Sequence, residues 1–164
     1  MRYFTIVMTT VILSCPMFAA EFIEMESLDK TARSLIQCMS KIDDIDIAKN
    51  IITKYLYNPK LAPVTIDKMI GQISQNEASI KESLGTATRE ITMLGSKIVG
   101  NMVKVLYFQK YEFMDIPYCI TYYKADGGFK LFSVAWGWTG PVTEDLKDFT
   151  KMEFGKIPDG LTIR

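Results

Sequence analysis

From Ser27 onward apolar residues recur every three to four positions, so that Leu28, Ala32, Leu35, Ile36, Met39 and Ile42 form one stripe of a helix that Ser27 can cap. Asp43, Asp44 and Asp46 break the pattern. It restarts near Ile47, with Ala48, Ile51, Ile52, Tyr55 and Leu56 on one face, and stops at Asn58 and Pro59. Thr65 can cap a third helix that carries Ile66, Met69, Ile70, Ile73, Ile80 and Leu84 and ends at Gly85. Gly71 and the Ser74 to Asn76 patch weaken its middle.

After Gly85 the period changes from three-to-four to two, and β-branched and aromatic residues take over. A strand from about Thr88 to Val99 leads through Gly100 and Asn101, a turn pair, into a second from Met102 to Phe113. Met114 to Pro117 turns the chain again. Tyr118 to Lys124 and Phe129 to Trp138 are joined by Asp126, Gly127 and Gly128, the tightest hairpin signal in the chain. Sequential hairpins predict an antiparallel meander. On the second strand Val103, Val105, Tyr107 and Tyr111 share one face and Lys104 and Lys110 the other, which gives the sheet an apolar face for the helices and a mixed one. Thr139, Gly140 and Pro141 end it, and Thr143 is placed to cap a short helix through Leu146 and Phe149.

The first twenty residues read as an address. Arg2 supplies a positive start, Tyr3 to Leu13 is apolar apart from threonines, and Phe18, Ala19 and Ala20 form a small-residue cleavage site, the layout of a secretory signal peptide. Cleavage after Ala20 makes Glu21 the mature start, and the expected location is the periplasm or the exterior. A membrane span needs about 20 consecutive apolar residues, and Cys15 and Pro16 interrupt this run too early. Ile12, Leu13, Ser14 and Cys15 also resemble a lipoprotein box, with Cys15 as the acylated residue, but Pro16 directly after it spoils the match.

The full chain carries 19 basic and 19 acidic residues, and losing Arg2 with the signal leaves a net charge of −1. No basic face for nucleic acid is implied. Residues 21–164 have the length of one domain, and with 48% of the full chain hydrophobic a core can form without metal or disulfide staples. Cys38 and Cys119 are the cysteines left after signal removal. In an oxidising compartment they can pair, a bridge contributing about 4 kcal/mol, or stay as small buried hydrophobes.

The stretch from Thr88 to Gly137 resembles the sheet of small secreted bacterial proteins of the nuclear transport factor 2-like superfamily. The likeness rests on Gly95, Ser96, Lys97, Ile98, Val99 and Gly100 leading to Val105 to Phe108, on Ile116, Pro117 and Tyr118, and on Tyr122 to Leu131, in which an aromatic-Tyr-Lys segment enters a hairpin. Phe129 stands where tryptophan is common. The resemblance implies an α+β fold in which N-terminal helices pack on a curved, antiparallel, four-stranded meander, a cone or cystatin-like roll with a pocket at its open end. That superfamily hosts isomerases, dehydratases, ligand binders and interaction modules, so it carries little functional weight.

Chemistry narrows mainly by exclusion. The chain has no histidine, which rules out Ser-His-Asp and Cys-His nucleophiles and histidine-bound zinc or iron. Two cysteines alone do not make a structural zinc site, and Gly127 and Gly128 sit in a hairpin rather than before a helix, so neither a cofactor nor a metal is expected. Three functional classes remain. One is a non-catalytic binding module whose pocket, drawn from Tyr107, Tyr111, Tyr118, Tyr122, Phe132 and Trp136, takes a small apolar ligand. A second is an interaction or structural subunit of an envelope or secretion-related assembly, dimerising through the sheet, with Trp138 as an anchor. The third is a carboxylate-tyrosine isomerase or dehydratase-like enzyme in which Glu112 or Asp115 is the base and a nearby phenol stabilises the oxyanion.

Overall fold

The computed structural model describes residues 21–41 and 44–138, together with Val142, Glu144 and Leu146, the side chains of 76–78 excepted. The signal segment, Cys15 and the Thr143-capped helix to Phe149 lie outside the described residues or are only partly within them. The architecture is α+β: three α-helices, α1 (Leu28–Met39), α2 (Ile45–Tyr55) and α3 (Ala62–Leu84), precede four strands, β1 (Ala87–Val99), β2 (Met102–Tyr111), β3 (Asp115–Ala125) and β4 (Gly128–Trp136). The strands form one antiparallel sheet in the order β1-β2-β3-β4.

Boundaries shift where local chemistry allows more than one start. Ser27 is not a side-chain cap: its φ of −95° and ψ of −6° already continue a 3-10 turn, Met25–Ser27, straight into α1. Thr65 is not a cap either. α3 begins at Ala62, because Pro63 occupies the first turn, where its missing N–H costs nothing and its fixed φ suits the helix. β3 starts earlier than expected and includes Pro117, which pairs with Phe108. The Pro117 carbonyl accepts from Gly137 N–H at 2.9 Å. In a strand the N–H and C=O of one residue point the same way, so the missing donor of Pro117 faces the point where β4 ends.

The core lies between the helices and one sheet face. Leu28, Ala32, Leu35 and Ile36 of α1 meet Val103, Val105 and Tyr107 of β2, Ile120 and Tyr122 of β3, and Phe129 and Leu131 of β4, all buried. Each large aliphatic side chain so buried contributes about 1.5–3 kcal/mol. Two tyrosines extend the core into polar anchors: Tyr122 Oη donates to Leu28 O at 3.0 Å, and Tyr107 Oη donates to Asp29 Oδ1 at 3.1 Å. Asp29 also accepts from Arg33 Nε at 2.8 Å, and Arg33 Nη1 reaches Ile91 O of β1. Helix α1 is thereby pinned across three strands.

Register shifts in β1, between Ala87 and Ile91 and between Met93 and Gly95, and in the β3-β4 pair at Thr121 and Tyr122, bend the sheet locally. The β4 edge is covered by Ile23, which exchanges backbone bonds with Phe129 at 2.7 and 2.9 Å, and by Leu56 and Tyr57 beside Leu131. On the mixed face Leu106 and Cys119 pack with Val142, flanked by Leu94, Ala135 and Leu146. Cys38 belongs to the helix-side core and Cys119 to this opposite face. The bridge considered between them does not form, because the sheet stands between the two thiols. Burial and the neighbouring Asp44 charge push the Cys38 thiol above its ordinary pKa.

Candidate functional site

At one end of the sheet the strands outrun the cover that α1 provides, and the C-terminal half of α3 roofs the gap. The result is a cleft with two adjoining lobes. The first, about 340 Å³, has a floor of Tyr111, Ile116, Tyr118 and Trp136 with Gly137 beside them, and a roof of Ile73, Ile80 and Leu84. Gln72, Ser79 and Ser83 form its polar lip. The second, about 360 Å³, opens toward β1 and the end of α1, where Ser40, Lys41, Lys81, Gly85, Thr86 and Ala87 surround it. Met39, Ile73, Ile80 and Tyr111 wall both lobes. Because Tyr111 is on β2, one lobe extends toward β3 and β4 and the other toward β1. Each lobe has the size of a small-ligand pocket, for which about 300–1,000 Å³ is usual.

Alternation explains the floor. Tyr111 continues the inward face of β2, and Ile116 and Tyr118 that of β3, so the row that builds the core supplies the cleft where no helix side chain fills the space. Tyr118 donates a side-chain hydrogen bond to Tyr111, and burial, with the neighbouring Tyr111 adding to it, raises its pKa well above the ordinary value. Burial raises Tyr111 as well, and the bond from Tyr118 partly offsets that. Both phenols stay neutral through the physiological range. Among the described residues the first lobe is lined without a carboxylate or a cation, so what these residues offer a ligand is apolar contact and uncharged hydrogen bonds.

The six aromatic residues singled out from the sequence part company. Tyr111, Tyr118 and Trp136 line the first lobe. Tyr107 and Tyr122 are fully buried in the core and anchored to α1. Phe132 is 43% exposed at the β3-β4 register shift and lies against Tyr57, with ring centroids 6.2 Å apart. Trp138 packs against Phe108 outside the cleft, the rings tilted by 40° with centroids 5.8 Å apart. Glu112 and Asp115 are exposed at the β2-β3 turn. The Glu112 carboxylate accepts from Thr86 N–H at 3.4 Å, and its backbone N–H donates to Thr86 O at 3.1 Å. Neither carboxylate lines either lobe.

The contribution of α3 was not read from the sequence. Its signal was present: Ile73, Ile80 and Leu84 repeat at seven and four residues, and Gln72, Ser79 and Ser83 repeat the same spacing one residue earlier. An apolar stripe flanked by a stripe of small uncharged polar residues is the roof and lip of a cleft.

Behind the cleft Gln109 is fully buried between its strand partners Ile91 and Ile116. Its Nε2 donates to Ser40 Oγ at 3.0 Å, and Ser40 Oγ in turn donates to Gln37 O at 2.8 Å. Gln109 Oε1 has no partner among the described residues. A buried acceptor without a donor costs about 1–3 kcal/mol. Gln109→Met is therefore expected to change the unfolding free energy by less than about 1 kcal/mol in urea titrations, the lost Ser40 bond being offset by removal of the orphan. A loss above about 2 kcal/mol would show that Oε1 is paired in solution.

Comparison of the chain with known protein families, with curated proteins and with solved structures finds no match. Among the described residues no helix is long and apolar enough to cross a membrane, and no group of three or more His, Cys, Asp or Glu is placed to hold a metal ion.

Proposed function

We propose that this chain is an exported, non-catalytic binding module of the nuclear transport factor 2-like kind that takes a small, largely apolar ligand in the cleft between α3 and the strand ends. The observation that carries the reading is the first lobe, whose Ile, Leu, Trp and Tyr walls and uncharged polar lip suit desolvated apolar matter with few hydrogen bonds. The same geometry favours binding over carboxylate-tyrosine chemistry. A phenol pair is in the cleft, but a general base must come within hydrogen-bond reach of its proton, and Glu112 is engaged with Thr86 at the outer turn.

The test is titration of residues 21–164 with the neutral fluorophore N-phenyl-1-naphthylamine. Saturable binding is expected, and Ile80→Trp, which places an indole on the wall shared by both lobes, is expected to weaken it by at least about tenfold with little change in Tm. Ile80 is only half-buried, so the larger ring can be accommodated without disrupting the core. Absence of saturable binding by the unaltered chain would overturn the reading.

A further inference from the structure

The two lobes differ in charge. Among the described residues the first is lined by no ionised side chain, whereas the second is bordered by Lys41, just past the end of α1, and Lys81, in the last turn of α3. Two cations from separate elements thus converge on one lobe. Both residues are exposed, and neither ammonium has an ion-pair partner among the described residues. Some other surface lysines do have such partners, Lys49 with Asp46 at 2.6 Å, Lys54 with Glu21 at 2.9 Å and Lys110 with Glu90 at 3.1 Å, and what sets Lys41 and Lys81 apart from Lys30, Lys60 and Lys68 is that they border the same lobe. The apolar lining is continuous between the lobes through Met39, Ile73, Ile80 and Tyr111. A charged mouth opening onto an uncharged, apolar channel is complementary to a molecule with one anionic end and one hydrocarbon end.

We propose that the cleft binds a single-chain carboxylate amphiphile, a free medium-chain fatty acid, with its carboxylate at Lys41 and Lys81 and its tail crossing Tyr111 under α3 toward Trp136. This rests on the ligand-binding reading above and adds to it the class and the orientation of the ligand. The tail displaces water from the Ile80, Leu84 and Ile116 surfaces, and the head keeps its solvent-facing side wet between two flexible ammonium groups, so no charge is buried. Ion pairing at an exposed site supplies selectivity over a neutral chain rather than most of the affinity.

The experiment displaces N-phenyl-1-naphthylamine from residues 21–164 with decanoate and, in parallel, with its neutral isostere methyl decanoate, at about pH 8, where the acid is ionised. Decanoate is expected to bind about tenfold more tightly than the ester, and that preference should shrink as salt is added. In a Lys41→Gln, Lys81→Gln variant the preference should vanish while the ester and the fluorophore bind as before. Equal affinity for acid and ester, or a preference that survives the double substitution, overturns the assignment of the head group. So does a double variant whose only change is a lower Tm, because the lysines would then serve the helix ends alone. Failure of both decyl compounds to displace a fluorophore that still binds overturns the fatty-acid assignment and leaves the cleft reading standing. Failure of the fluorophore itself overturns both.

Discussion

Raising the pH above 10 is expected to unfold this protein cooperatively, with the midpoint between about pH 11 and 12. Four buried tyrosines drive the effect. Burial raises the hydroxyl pKa of Tyr107 above its ordinary value of 10.0, reinforced by Tyr122 and Asp29. Burial likewise raises Tyr122, with Asp29 adding to it, and it raises Tyr118 and Tyr111 in the cleft. Below pH 10 all four are protonated in the folded and the unfolded chain, and their contribution to stability is fully present. Above 10 the unfolded chain releases these protons and the folded one holds them, so the unfolded state gains with every further step in pH. Each group costs up to about 1.4 kcal/mol per pH unit, and together the four remove up to about 6 kcal/mol one unit above 10 and up to about 11 kcal/mol two units above, against a domain stability of about 5–15 kcal/mol. Tyrosinate absorbance and far-ultraviolet circular dichroism, followed together, check the expectation. The hydrogen-bonded phenols should ionise only as the fold is lost. Titration of every tyrosine near pH 10 with the fold intact would show that Tyr107 and Tyr122 are not sealed in the core.

Gly85→Ala is expected to cost about 2–4 kcal/mol and to open the second lobe at its rim. Gly85 is where α3 turns into β1: its N–H closes the helix on Lys81 O at 3.1 Å, and its φ is +74°. With a ψ of −154° this is a region essentially confined to glycine, and an L-residue held there is strained by about 1–3 kcal/mol. Space makes matters worse, since a Cβ would sit 2.5 Å from Glu112 Cβ and 2.7 Å from Glu112 Oε2. The first of these is a close approach to the root of a side chain, so the β2-β3 turn itself has to move. Gly71→Ala, in the middle of α3 with nothing within 4 Å of the added carbon, is the comparator and should raise stability by about 0.5–1 kcal/mol. Urea denaturation of both variants reads the contrast. Equal effects at the two positions would mean that neither the left-handed conformation nor the contact with Glu112 constrains the rim.

Much of the fold was legible because it depends on period and on turn chemistry, which are local. The stripes Leu28 to Met39 and Ala48 to Leu56, and the hairpins at Gly100 and at Asp126 and Gly127, each restrict the backbone within a few residues. Where two local signals competed, the sequence was ambiguous: Thr65 reads as a cap, yet Pro63 starts a helix equally well, and burial of Ala62 tips the balance. Pro117 reads as a turn residue, and only the point at which β4 ends leaves it room inside β3. The candidate site was half legible. Strand alternation put Tyr111, Tyr118 and Trp136 on one face, but it put Tyr107 and Tyr122 there too, and nothing local says that α1 covers those two and leaves the others to α3.

Local signals along the chain establish an α+β order with helices first, an antiparallel meander, and, with histidine absent, the exclusion of histidine-based chemistry. The tertiary structure decided which aromatics are core and which are cavity, that the Cys38 and Cys119 thiols lie on opposite sides of the sheet, and that Lys41 and Lys81 meet at one lobe. The physical reason is the range of the forces. Helix and strand preferences act between neighbours in the chain, whereas cover, exposure and charge convergence depend on where elements tens of residues apart come to rest on the sheet.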